Sequence, residues 1–251
     1  QARQFAYKKF TATDLHTSMD LNDDAINLKT IGFKHAGGSV QAQGDLRNDP
    51  NSNPFSFKAT LIQLDLSQVL DAFNNFGQKA LNGKNIQGIL SADMKLKGEV
   101  TQKLQLIPDS TRGQIDFNLQ QGRLVHFEPL QKISQTVFKN RNFSDIRFAD
   151  LHDLFIVKGN EITINRMEIR STLITMFVEG EYHMKNGADL SIQVPLSNLK
   201  DRTADHLPEN QGIHSRTGPS ARLRAKNGDD GKLKITWDPF KKAVRNMKKS
   251  K

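Results

Sequence analysis

A chain of 251 residues, 36% of them hydrophobic, can bury a core as one large β domain or two small ones. Mean hydropathy is −0.58, and no apolar run approaches the roughly 18 residues that a membrane-spanning helix needs. The absence of cysteine excludes disulfides, thiol catalysis and cysteine-ligated zinc, and it fits a cytosol and a bacterial periplasm equally well.

The net charge of +9 is concentrated at one end. Lys232–Lys251 holds eight basic residues against Asp238 alone, which leaves +2 for everything before it. That distribution argues against nucleic acid as a partner, because a nucleic-acid-binding body spreads its basic footprint over a face. The opening QARQFAYKKF contains neither a signal-peptide h-region nor an initiator Met. The chain is therefore expected to be mature, or excised from something longer, with any tether removed.

From about Phe5 to Leu199 apolar and polar residues alternate with period two, the mark of half-buried strands. Asp20, Asn22 and Asp24 open like a calcium loop. Ala25 stands where the glycine belongs, however, and Ile31 where a bidentate Glu belongs, so the segment reads as an acidic hairpin turn. Gly37-Gly38 reads as another turn. LSQVLDAFNNFGQKAL places Val69, Leu70, Phe73, Phe76 and Ala80 at helical spacing, with Ser67 as the N-cap. Leu90, Ala92, Met94 and Leu96 then alternate against Ser91, Asp93, Lys95 and Lys97. Ile115, Phe117 and Leu119 lead to a hairpin expected at Gln120-Gln121-Gly122.

EPLQKISQTVFKN, with Pro129 in its first turn and Leu130, Ile133 and Val137 on one side, predicts a second short helix. Turns follow at Lys158-Gly159-Asn160 and Lys185-Asn186-Gly187. Between them Ile174, Met176, Val178, Tyr182 and Met184 share a face, opposite Thr175, Glu179, Glu181 and His183; Leu173 and Phe177 break the pattern. Leu190, Ile192 and Val194 alternate next. Residues 201–231 read as a polar loop region, KLKITWD as one more strand, and DPFKKAVRNMKKSK as a basic helix. About ten strands are expected. The terminal helix sets Phe240, Ala243, Val244 and Met247 on one side, surrounded by Lys241, Lys242, Arg245, Lys248 and Lys249. It either lies on an anionic membrane surface, at roughly 1 kcal/mol per basic residue, or caps the end of the sheet.

Two stretches match without a gap at an offset of 136, beginning at Asp14 and Asp150. Asp14, Leu15 and His16 fall on Asp150, Leu151 and His152; Ile26, Leu28, Ile31 and Phe33 fall on Ile162, Ile164, Met167 and Ile169; Gly44 falls on Gly180. Both copies skip one residue after the second apolar position, as a β-bulge does. The reading is an internal duplication, about 10–66 and 146–199, of one bent hairpin module.

Catalytic signatures are absent. Asp205, His206, Glu209 and His214 lack HExxH or paired-carboxylate spacing and read as a polar loop rather than a metal site. Asp-Leu-His reads as the same strand start in both copies, although His152 with Asp150 leaves a hydrolase as one alternative. No G-x-S-x-G, phosphate loop or dinucleotide fingerprint occurs. No enzyme, metal or cofactor is expected.

A sheet with one apolar face must cover it, most often by closing into a sandwich or barrel, otherwise as an open gutter that meets a lipid or another module. The stretch GQIDFNLQQGRLVHFEPLQKIS, and then IRFADLHDLFIVKGNEITINRMEIRSTLITMFVEGEYHMKNGADLSIQVPL, resembles the C-terminal region of the AsmA-like family of bacterial envelope proteins. IQLDLSQVLDAF, LNGKNIQGILSADMKLKG and ARLRAKNGDDGKLKITWD are similar to that family's preceding and terminal elements, whereas the long polar stretch from Asp201 to Gly231 departs from the pattern.

The resemblance implies a mainly β fold: a curved antiparallel sheet of bulged hairpin repeats over 1–200, forming an open groove with two short helices, then the loop region and a terminal strand and basic helix over 232–251. It also implies a non-enzymatic periplasmic module, tethered to the inner membrane by an N-terminal helix, that carries phospholipid between membranes and maintains the outer membrane. The expected lining is Ile162, Ile164, Met167, Ile169, Ile174, Met176, Val178, Tyr182, Met184, Leu190, Ile192 and Val194. The partners would be phospholipid or another acyl lipid, together with an anionic membrane surface or envelope proteins. A closed β-sandwich that scaffolds another envelope protein is the alternative.

Overall fold

Period-two alternation produces strand after strand, each hydrogen-bonded to the one before it. The computed structural model describes residues 2–131, 141–199 and 218–238. The strands are β1 (Ala2–Tyr7), β2 (Phe10–Leu21), β3 (Ala25–His35), β4 (Gly38–Arg47), β5 (Asn53–Asp65), β6 (Ile86–Val100), β7 (Leu106–Val125), β8 (Asp145–Arg147), β9 (Leu151–Lys158), β10 (Glu161–Arg170), β11 (Thr175–His183), β12 (Gly187–Pro195), β13 (Ser220–Asn227) and β14 (Leu233–Trp237). They form one 14-stranded antiparallel sheet in chain order, with β8 branching from β7. β1 and β14 do not pair, so the sheet is open. The closed sandwich is thereby excluded for the described residues, since the chain keeps adding hairpins instead of folding one sheet back on another.

Cross-strand partners lie on the same face, so register shows where the apolar side chains go. One rung runs Ile31, Ala42, Ala59, Met94, Ile115, Phe155, Ile164, Gly180, Leu190, Ala225 and Ile235. It crosses from β3 to β14 without meeting a polar residue. Neighbouring rungs include Leu28–Gly44–Phe57–Leu96 and Leu64–Leu90–Leu119–Leu151. At about 4.8 Å per strand the face spans roughly 60 Å. The opposite face is polar, with rungs such as Thr60–Asp93–Asp116.

The skipped positions are bulges. Register shifts fall between Leu28 and Ile31 in β3 and between Ile164 and Met167 in β10. The pairings around them correspond as well: Leu28 faces Gly44 and Met19, while Ile164 faces Gly180 and Phe155. The glycines share one cause. A Cβ on Gly44 would sit 2.4 Å from the Ser56 carbonyl oxygen, and one on Gly180 2.4 Å from that of Asp189. His35 pairs with Gly38 across Ala36-Gly37, whose φ values of 48° and 79° make the primed hairpin turn.

Several details differ from the sequence reading. The Asp65 carboxylate, not Ser67, caps the helix α1 (Leu66–Ala72), accepting from the backbone N–H of Ser67 and Gln68. The helix stops early because Asn74, Asn75 and Phe76 turn left-handed, with φ near 50°. Gln120–Gly122 is not a hairpin: Gln121 takes φ 52° inside β7, the partner register shifts between Gln87 and Ile89, and the strand runs on to Val125. Gly122 lets the Phe148 ring lie on the backbone, where a Cβ would be 1.9 Å from it.

Asp14-Leu15-His16 lies in the middle of β2, at a register shift, whereas Leu151 opens β9. The two Asp-Leu-His motifs therefore do not mark equivalent strand starts. The stretch expected as loop contains β13, whose alternating Ala221, Leu223 and Ala225 are masked in sequence by Arg222, Arg224 and Lys226. The second helix opens at 128–131, while Ile133 and Val137 lie outside the described residues.

The covers gather along one rim of the apolar face. Phe127, Leu130, Phe143 and Ile146 pack with Ile174, Met176, Val178, Ile192, Val194 and Leu223 in the main core. Leu119, Phe148 and Leu151 form a second cluster against which Leu66 of α1 rests. No helix among the described residues is long and apolar enough to cross a membrane.

Candidate functional site

Beyond those covers the described residues leave the apolar face open, most of all between β3 and β7. There Ile26, Leu28, Leu46, Phe55, Phe57 and Val100, joined by Leu104 and Leu106, line an open hollow of about 440 Å³. Leu104 and Leu106 are 64% and 47% exposed. Apolar surface left uncovered in this way is costly in water. A larger hollow of about 560 Å³ lies on the polar face among Lys58, Lys95, Thr60, Asp93, Gln114 and Asp116. Its lining suits water.

The lining expected from sequence divides between covered and open positions. Ile174, Met176, Val178, Ile192 and Val194 are buried in the main core, under the segment containing Phe127, Leu130 and Phe143. Ile162, Ile164, Met167, Ile169, Tyr182 and Leu190 are half-buried, and Met184 is exposed in a turn. The open stretch belongs to the first half of the chain. Its signal was the same alternation, visible in Leu46, Phe55 and Phe57. What sequence could not show is which half the covers occupy.

At the β1 end an aromatic group crosses the face. Phe10 contacts Phe5, Phe33, His35 and Phe73, at ring-centre distances of 6.4, 5.8, 4.6 and 5.6 Å. Phe73 stacks on Phe76. The buried His35 donates from Nδ1 to the Thr11 carbonyl at 2.7 Å, and its Nε2 has no hydrogen-bond partner among the described residues.

Polar side chains that tempt a catalytic reading are mostly paired elsewhere. His152 Nε2 lies 2.7 Å from Asp116 Oδ1, both well exposed, while Asp150 accepts from Gln120. The Asp150–His152 couple therefore does not form. Asn22 accepts from the backbone N–H of Asp24 and Ala25, closing the acidic hairpin as a turn. His183 sits between Glu181 (3.4 Å) and Glu161 (3.9 Å) at one hairpin end. Ligand atoms of these three lie within 4.8 Å of one another. Burial, followed by the charge of Glu161, raises the Glu181 carboxyl above its ordinary value. Asp205, His206, Glu209 and His214, and the basic residues Lys241, Lys242, Arg245, Lys248 and Lys249, lie outside the described residues.

One ion pair fastens β12 to β13. Arg224 donates to Asp189 through Nε at 2.7 Å and Nη2 at 2.6 Å. These bonds hold the Asp189 carboxyl below the usual carboxylate range, against the effect of burial. A depressed carboxyl stabilises the fold above its unfolded value, about 3.9, and that contribution disappears as pH falls through the folded value. Asp189→Asn is expected to cost about 1 kcal/mol at neutral pH and to flatten the loss of stability below about pH 4. Urea titrations at several pH values read both effects.

Comparisons of the chain with protein-family models, with curated proteins and with solved structures return no match.

Proposed function

We propose that this chain is a non-enzymatic lipid-accommodating module of the bacterial envelope, of the AsmA-like type. Its apolar face serves as a groove for acyl chains that is roofed along one rim only. The observation that carries the reading is the rung from Ile31 to Ile235, apolar across an unclosed sheet and flanked by the uncovered hollow at Phe55, Phe57 and Leu106. An alkyl chain laid there leaves water at about 0.8 kcal/mol per CH₂. Many equivalent apolar positions let it slide without any single tight site. The matching bulges and glycines of β3–β4 and β10–β11 support descent of both hairpins from one duplicated unit. In this reading the module works in the periplasm, held to the inner membrane by an N-terminal helix, and carries phospholipid towards the outer membrane.

Native mass spectrometry of protein purified without detergent tests the proposal. Co-purifying phospholipid, displaced by added fatty acid, is the expected result. Protein that carries no lipid and takes none from vesicles would overturn it.

A further inference from the structure

Among the paired rungs of the apolar face, within the described residues, only one position carries a carboxylate: Asp153, in the middle of β9. It lies opposite Phe117 of β7 and two residues before Phe155. The Phe117 and Phe155 rings are 4.6 Å apart, centre to centre. On the other side of Asp153 the sheet gapes, because pairing of β9 with β10 ends at Phe155 and Ile164. The Leu154 carbonyl there accepts from the Asn165 side chain at 2.9 Å, and the Leu154 N–H donates to Asp153 Oδ1 at 2.8 Å. That bond explains one carboxylate oxygen. The other, Oδ2, is screened from water and has no hydrogen-bond partner among the described residues.

We propose that Asp153 receives the ammonium headgroup of a lipid lying in the groove, so that the module prefers phospholipids bearing a primary ammonium to those with anionic heads. The inference rests on the groove reading and adds its ligand class. A carboxylate with an unused oxygen, set beside two aromatic rings on a hydrocarbon face, suits an alkylammonium, which gains an ion pair and ring contacts together. A lone carboxylate is too few ligands for a metal ion. An anionic head meets repulsion there, and a bare alkyl chain crossing the position has nothing to offer the charge. Asp153 also borders the roofed rung of Leu119 and Leu151. A headgroup arriving from the open rungs therefore meets it at the edge of the cover.

The test loads purified protein from vesicles of equal parts phosphatidylethanolamine and phosphatidylglycerol, re-isolates it and quantifies bound lipid by mass spectrometry. Wild-type protein is expected to enrich phosphatidylethanolamine about tenfold, the ratio one charge-assisted hydrogen bond supplies. Asp153→Asn keeps an acceptor for the Leu154 N–H, and it should return the ratio to that of the vesicles with total bound lipid unchanged. Replacing phosphatidylethanolamine by its N-acetylated form, which has no charge on nitrogen, should abolish enrichment by the wild type, so the result does not depend on how the variant folds. Bound lipid without headgroup preference, or preference that survives in Asp153→Asn, overturns this inference and leaves the groove standing. Wild-type protein that takes up neither lipid overturns the groove reading itself.

Discussion

Phe57→Asp is expected to leave the protein folded and strip it of lipid, whereas Val178→Asp is expected to unfold it. Both residues lie on the apolar face, and β-strand alternation alone gives no reason to treat them differently. Val178 is buried with Met176, Ile192 and Phe143 in the main core. A carboxylate there has no partner and no water. The penalty exceeds about 4 kcal/mol, a large part of the 5–15 kcal/mol that holds a typical domain together. Phe57 is half-buried and lines the open hollow. A carboxylate at that position reaches solvent, costs the fold about 1 kcal/mol or less, and places charge where an acyl chain would lie. Circular dichroism against urea reads the first quantity, and phospholipid recovered per mole of protein the second. Unchanged lipid in Phe57→Asp would remove the hollow from the proposed path.

Gly44→Ala and Gly180→Ala should each destabilise the chain by about 2 kcal/mol or more, Gly180→Ala by the larger amount. In both cases the new methyl group would meet a backbone carbonyl oxygen on the next strand, at 2.4 Å. Backbone in mid-sheet cannot step aside as a side-chain tip can. Gly180 adds a conformational cost, since its φ of 144° is one that residues with side chains seldom adopt. Chemical denaturation of the two variants measures the comparison. A neutral result at either site would mean that the sheet opens more easily there than its register implies.

The strands were legible in the sequence because a half-buried sheet writes its faces into alternate residues. Even the bulges at Leu28/Ile31 and Ile164/Met167 could be read, as a missed beat. Elements governed by local backbone choices were harder. The left-handed run from Asn74 to Phe76 ends α1 within what reads as one amphipathic helix. At Gln120–Gly122 two glutamines and a glycine look like a loop but accommodate a bend in β7 under Phe148. The site was half legible. Which residues are apolar and co-facial follows from spacing, but cover is a tertiary matter. Phe127, Leu130 and Phe143 shield the β11–β13 stretch, so the uncovered positions lie in β3–β7, which the resemblance did not single out. Asp153 escaped notice because it occupies an inward position in an otherwise regular strand, where a single carboxylate reads as noise until its neighbours are known.

Among the described residues the covers lie along one margin only, and the sheet has a lip on the other, running past Ile26, Leu46 and Phe55. A tunnel admits its cargo at a mouth and makes each molecule wait for the one ahead. If the face carries lipid as proposed, a shelf open along its length has no such queue: cargo would swing in sideways at any strand and leave the same way, and neighbours could overtake. Exchange with vesicles should then depend on how much of the lip is free and not on access to either end, so a bulky tag fused at one terminus would slow it little.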